Sequence, residues 1–75
     1  MPKHFLVLKE GSTGDAVTLL QESLKEVGFY FGSINGVFDE NTKAAVIKFQ
    51  KNNAITADGV VGIATRAALV RYFWN

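Results

Sequence analysis

The sequence predicts an all-α domain: a small three-helix bundle with an internal turn-helix repeat and long glycine-containing loops. Three observations predict it. The first is a fifteen-residue unit used twice, because Asn35 to Phe49 realigns without gaps on Asp58 to Tyr72 at a shift of 23 positions. Gly36/Gly59, Val37/Val60, Thr42/Thr65, Ala44/Ala67 and Ala45/Ala68 are identical pairs. Lys43/Arg66, Val46/Leu69, Ile47/Val70, Lys48/Arg71 and Phe49/Tyr72 keep their chemistry. A glycine turn feeding a helix is therefore one supersecondary unit, repeated and packed on itself. The second observation is the spacing of Val17, Leu20, Leu24 and Val27, which puts four apolar side chains on one helical face. The third is size. With 75 residues and no cysteine the chain is a single domain, residues 1–75, near the lower limit for a core without staples. Its 48% hydrophobic residues, nine of them aromatic, supply that core.

The elements follow in order. Residues 3–9 have extended character, and Glu10-Gly-Ser-Thr-Gly14 reads as a turn. Ser12 with Asp15 fits a capping-box-like start, so the first helix is expected near 14–27, with Gly28 as its stop. Phe29 to Phe38 reads as a loop, and Asn35-Gly36 in it favours a turn with φ > 0 that could support a short ribbon. Asp39 is the expected cap of a second helix near 40–52, whose Ala45, Val46 and Phe49 face inward while Lys43, Lys48 and Lys51 face out. Asp58-Gly59 repeats the turn. A third helix near 63–73 then points Ala68, Leu69, Tyr72 and Phe73 inward, leaving Trp74 as a cap over Phe5 and Val7 or a free end. Val17, Leu20, Leu24, Val46, Phe49, Leu69 and Tyr72 are expected to converge on one core.

Composition excludes several functions. A net charge of +1 is too small for a protein built to hold a nucleic-acid backbone. No apolar run approaches the roughly eighteen residues of a membrane span. The apolar patch Phe5 to Leu8 is too short for a secretory signal, so none is expected in this chain. His4 is the only histidine and there is no cysteine, which leaves no nucleophile–base pair, no thiolate metal site and no catalytic residue to name. Glu10, Asp15, Glu22, Glu26, Asp39, Glu40 and Asp58 read as caps, turns or solvated faces. No metal or cofactor is expected.

Several stretches match a known family in order and spacing. They are Leu8-Lys-Glu-Gly11 with Gly14-Asp-Ala-Val17, and Leu20-Gln21 with Leu24 ahead of Gly28. Ile34-Asn-Gly-Val-Phe38, Thr42, Ala45-Val46, Phe49-Gln50, and Asp58-Gly-Val-Val-Gly62 with Thr65 and Leu69 complete the set. On these residues the chain resembles the helical peptidoglycan-binding domain found beside cell-wall hydrolases, similar in fold to the propeptide domain of matrix metalloproteinases. Asn35 and Asp39 depart from the usual aspartate and glycine of that pattern, and the inhibitory cysteine of the propeptides has no counterpart. The resemblance implies a non-catalytic module that anchors an attached enzyme, or itself, to the bacterial wall. Its partners would be the glycan strand and peptide stem, with no nucleic acid or membrane, and it would act as a monomer. Its location would be the cell envelope or the extracellular space if it is part of an exported protein. The alternative is a protein-interaction or regulatory domain that kept the fold without wall binding.

Candidate ligand contacts combine two features. Tyr30 and Phe31 are loop aromatics that helical burial does not explain, so core filling and sugar stacking both remain open for them. Two helix starts follow the repeated turns, and each offers unpaired amides and a partial positive charge. Asp39 would repel an anion at the first; at the second, Gly62 leaves the amides open and Arg66 lies one turn in. Thr42 and Thr65 either brace their own first turns or contact ligand. With the turn residues, the expected site is Tyr30, Phe31, Asn35, Asp58, Gly62, Thr65 and Arg66, on one side of the bundle.

Overall fold

The structure, a computed structural model, describes residues 7–74, with side chains described as far as Tyr72. The expected placements of Phe5, Phe73 and Trp74 lie outside the described side chains. Among the described residues there are three helices: α1 (Asp15–Glu26), α2 (Glu40–Asn52) and α3 (Ile63–Trp74). Their bounds fall within a residue of those expected from apolar spacing and turn residues.

Each helix end has an identifiable cause. After α1, Gly28 takes φ +88° and donates to the Lys25 carbonyl, while the Phe29 amide donates to that of Leu24. This is a Schellman stop, for which glycine is the natural residue. α2 ends the same way, with Ile55 N–H donating to the Gln50 carbonyl, but Ala54 holds the left-handed position at φ 56°. Asp39 caps α2 as expected, accepting from the Thr42 amide at 3.0 Å and its hydroxyl at 3.1 Å. The expected Ser12 cap is not made. Gly14 is the N-cap of α1, at φ 114°, and the Ser12 hydroxyl instead accepts from the Lys9 amide at 3.1 Å, closing the preceding turn.

The core gathers Val17, Leu20 and Leu24 from α1, Ala45, Val46 and Phe49 from α2, and Ala68 and Leu69 from α3. Phe49 is fully buried and takes the ring of Phe29 edge-on at 5.6 Å. Tyr72 departs from its expected place. Its ring lies 5.5 Å from that of Phe49, but 43% of the residue stays exposed, at the rim. A hydroxyl there can remain in contact with water, which a fully inward tyrosine would have to replace with a buried partner.

Leu8, Phe38 and Val61 join the core from outside the helices. They do so because the leading segment lies along both repeated turns. Leu8 forms an antiparallel bridge with Val61, and Thr13 forms one with Val37. Gly11 and Phe38, then Phe38 and Ser12, exchange further backbone bonds, and Gly14 N–H reaches the Gly36 carbonyl at 2.9 Å. The chain between α1 and α2 thus pairs with the leading segment and forms no ribbon of its own. Glu10 also meets Lys43 of α2 at 3.5 Å.

Candidate functional site

Two buried glutamines organise the repeated turns. Gln21 Nε2 lies within hydrogen-bond reach of Asn35 Oδ1, the Val37 carbonyl and Thr42 Oγ1, which share its two N–H groups, and Gln21 Oε1 accepts from the amides of Asn35 and Gly36. Gln50 repeats the arrangement one helix later. Its Nε2 lies 3.1 Å from Asp58 Oδ1, 3.0 Å from the Val60 carbonyl and 3.1 Å from Thr65 Oγ1, which share its two N–H groups, and its Oε1 accepts from the Gly59 amide at 3.0 Å. Both side chains are wholly buried. Each glutamine therefore fixes the turn that follows its helix and the first threonine of the next one. Buried polar groups persist where every donor and acceptor is matched, and these are.

The turns have the same local chemistry. Asn35 Oδ1 accepts from the Val37 amide, and Asp58 Oδ1 from that of Val60. Gly36 and Gly59 both sit at φ +74°, where a Cβ is strained. The Val60 amide, aided by the Gln50 amide, holds the Asp58 carboxyl below the usual carboxylate range. The Thr42 amide does the same for Asp39.

The repeat is longer than the fifteen residues visible in sequence. Ala16-Val17 with Leu20-Gln21 and Ala45-Val46 with Phe49-Gln50 occupy matching places, and Ala68-Leu69 with Tyr72-Phe73 continues the series on α3. Gln21 and Gln50 lie four residues after Val17 and Val46, on the face that helical spacing turns inward. A polar residue at an inward position was the available signal for both clamps.

A groove of about 220 Å³ opens at the start of α3. Gln50 and Thr65 lie beneath it, Ile55, Val60, Ile63 and Ala64 give it apolar walls, and Thr56, Asp58 and Gly62 give it polar ones. Of the expected site it thus gathers Asp58, Gly62 and Thr65. Thr65 is buried beneath it, its hydroxyl held by Gln50, and so braces the first turn of α3. Asn35, Tyr30 and Phe31 belong to the first turn and do not line the groove. Arg66 is half-buried one turn into α3 and is likewise not among the lining residues.

Tyr30 requires a correction. It is only 2% exposed, its hydroxyl donates to the Ser33 carbonyl at 2.6 Å, and Gln21 Nε2 reaches the same oxygen at 3.4 Å. Its ring fills the core and offers no face to a sugar. Phe31 beside it is 88% exposed, so of the two only Tyr30 fills the core. The leading segment bridges to both turns, Leu8 to Val61 and Thr13 to Val37. Among the described residues no three His, Cys, Asp or Glu side chains come together to hold a metal. No described helix is long and apolar enough to cross a membrane.

Comparison with known proteins assigns the family. Residues 13–69 match the family described as "Putative peptidoglycan binding domain". The chain belongs to this family. The peptidoglycan-binding domain is 38% identical over 65 residues to the spore cortex-lytic enzyme of Bacillus cereus, covering 87% of this chain and 25% of that enzyme. It thus spans about a quarter of that relative's length. Among solved structures it superposes on the N-terminal domain of SleB with TM-score 0.89 at 36% identity, covering 92% of this chain and 94% of that one. It also matches the L,D-transpeptidase of Xylanimonas cellulosilytica, with TM-score 0.87 and 37% identity over 95% of this chain and 35% of the other.

Proposed function

We propose that this peptidoglycan-binding domain is a non-catalytic module that holds an attached enzyme, or itself, on the bacterial cell wall. The observation that carries the reading is the match of residues 13–69 to the family, together with a superposition that covers nearly all of the SleB domain. One relative is named a spore cortex-lytic enzyme and another an L,D-transpeptidase, and the domain covers only 25% and 35% of them, so a role in delivery to the wall suits a unit of this size. The partner would be peptidoglycan, through its glycan strand and peptide stem, with the domain acting as a monomer. Its place of action would be the cell envelope or outside the cell.

The contacts would come from the groove, with Asp58 and Gly62 at its surface and Thr65 supporting it. Asn35, Arg66 and the exposed ring of Phe31 would extend them along the same side. Phe31 has the form of a stacking platform, an aromatic face beside small and polar neighbours.

The test uses the chain fused to a fluorescent protein, applied to purified peptidoglycan sacculi. The fusion is expected to label sacculi while the fluorescent protein alone does not, with no release of reducing ends or free amines. Equal labelling by both would refute wall binding. Release of wall fragments, lost on a point substitution, would refute the non-catalytic reading.

A further inference from the structure

The two repeats differ at the two positions that decide whether the start of the helix is open. The common Schellman stops align Phe29 with Ile55 and Tyr30 with Thr56, and the repeated turns align Asp39 with Gly62. In the first repeat the Tyr30 side chain runs into the core until its hydroxyl meets the clamp, 3.4 Å from Gln21 Nε2. Asp39 caps the following helix through the Thr42 amide. In the second repeat Thr56 follows the stop, six residues after Gln50 where Tyr30 is nine after Gln21, and Gly62 stands in the place of Asp39; both line the groove beside the Gln50 clamp. The first repeat thus has an aromatic ring and a capping carboxylate beside its clamp, and the second has a threonine and a glycine.

We infer that the groove, lined by Thr56 and Gly62 where the first repeat has Tyr30 and Asp39 beside its clamp, takes a single neutral sugar ring of the wall glycan, in place of a stem carboxylate. This rests on the wall-binding reading above. Size favours one ring, since about 220 Å³ falls below the roughly 300–1,000 Å³ of sites that engulf larger ligands. Tyr30 shows what shape suits the space in the closed repeat: a six-membered ring with apolar faces and a hydroxyl at its edge. The lining has the matching chemistry. Ile55, Val60 and Ile63 supply apolar surface for a ring face, and Thr56 and Asp58 supply partners for hydroxyl or acetamido N–H groups. The Asp58 carboxylate, fixed in place by Val60 and Gln50, repels an anionic stem. It therefore opposes the attraction of the α3 start for a carboxylate.

Two substitutions rebuild the closed repeat. Thr56→Tyr supplies the ring, and Thr56 is exposed enough to accept it. Gly62→Asp supplies the cap; a Cβ at Gly62 meets nothing within 4 Å, so that variant should fold and its helix start should gain a hydrogen bond. Each is measured by co-sedimentation with purified peptidoglycan, alongside thermal melting. Both variants are expected to bind at least about tenfold more weakly than the parent while melting at or above its temperature. In a second measurement a tetramer of N-acetylglucosamine is titrated into the labelled parent. The amide resonances of Gly62 to Thr65 are expected to move and those of Asp39 to Thr42 to stay. Parent-level binding by either folded variant overturns the inference, as does movement of both helix starts or of neither. A parent that does not sediment with wall at all overturns the wall-binding reading itself.

Discussion

At the scale of single residues the domain depends on two glutamines and two glycines. Gln50 satisfies the Gly59 amide, the Val60 carbonyl and the Thr65 hydroxyl from a wholly buried position. Gln50→Leu keeps much of the volume but leaves those groups without a partner, which costs about 1–3 kcal/mol for each one that water cannot reach. We expect a loss of about 3 kcal/mol in urea unfolding, and a similar loss for Gln21→Leu. A loss under about 1 kcal/mol would mean the turns hold without their clamps. The glycines separate further. Both have φ +74°, but a Cβ at Gly36 meets the Gly14 carbonyl oxygen at 3.3 Å as well as Thr18 Oγ1 at 2.9 Å. At Gly59 its nearest neighbours are side-chain carbons, Lys43 Cε and Cγ at 3.0 Å and Ile47 Cγ1 at 3.5 Å. Gly59→Ala should therefore cost about 1–2 kcal/mol, mostly the left-handed strain with a shift of the Lys43 side chain, and Gly36→Ala, which also meets backbone, measurably more. Equal melting temperatures for the two would contradict this ordering. The repeated Asn/Asp-Gly turn made both glycines legible in sequence. The glutamines were not, because a polar residue on an apolar face reads as an irregularity until its partners are known.

At the scale of elements the helices were legible almost to the residue, since apolar spacing, Asp39 and Gly28 each leave a local mark. What the sequence concealed depends on contacts between distant segments. The Ser12 hydroxyl could have capped α1, but it closes the Lys9 turn because the leading segment is occupied with Phe38 and Val61. Ala54 ends α2 in a conformation that favours glycine, so no glycine announced that stop. The caps also set the acid response. Asp39 and Asp58 have folded-state pKa values below the ordinary carboxyl value, so their contribution is complete above about pH 4 and is lost as pH falls through the lowered values. Urea midpoints should fall steadily over that acid range, and less steeply in Asp39→Asn, which keeps a capping oxygen without the charge. A parent whose midpoint does not change below pH 4 would contradict the assignment.

At the scale of the whole molecule, a core this small leaves little reserve. Phe49 sits at its centre between Phe29 and Tyr72, and Phe49→Ala should cost about 3–5 kcal/mol, a large share of the total stability of a domain of 75 residues. A variant melting like the parent would show that the core is elsewhere. The family was legible because its turns and helix starts recur in order along nearly the entire chain. The candidate groove was legible only in part. Gly62 marked the open helix start, but loop position alone could not separate buried Tyr30 from exposed Phe31, since they differ only in which way one turn of backbone directs them. Wall binding without catalysis is the function proposed for this domain. Its most direct test is an equilibrium sedimentation titration of the purified domain against peptidoglycan freed of protein. Bound protein should rise to a plateau and return to solution when soluble wall fragments are added, with no fragments released by the domain. A bound fraction that stays at the level of a wall-free control, at every amount of peptidoglycan, would contradict the account.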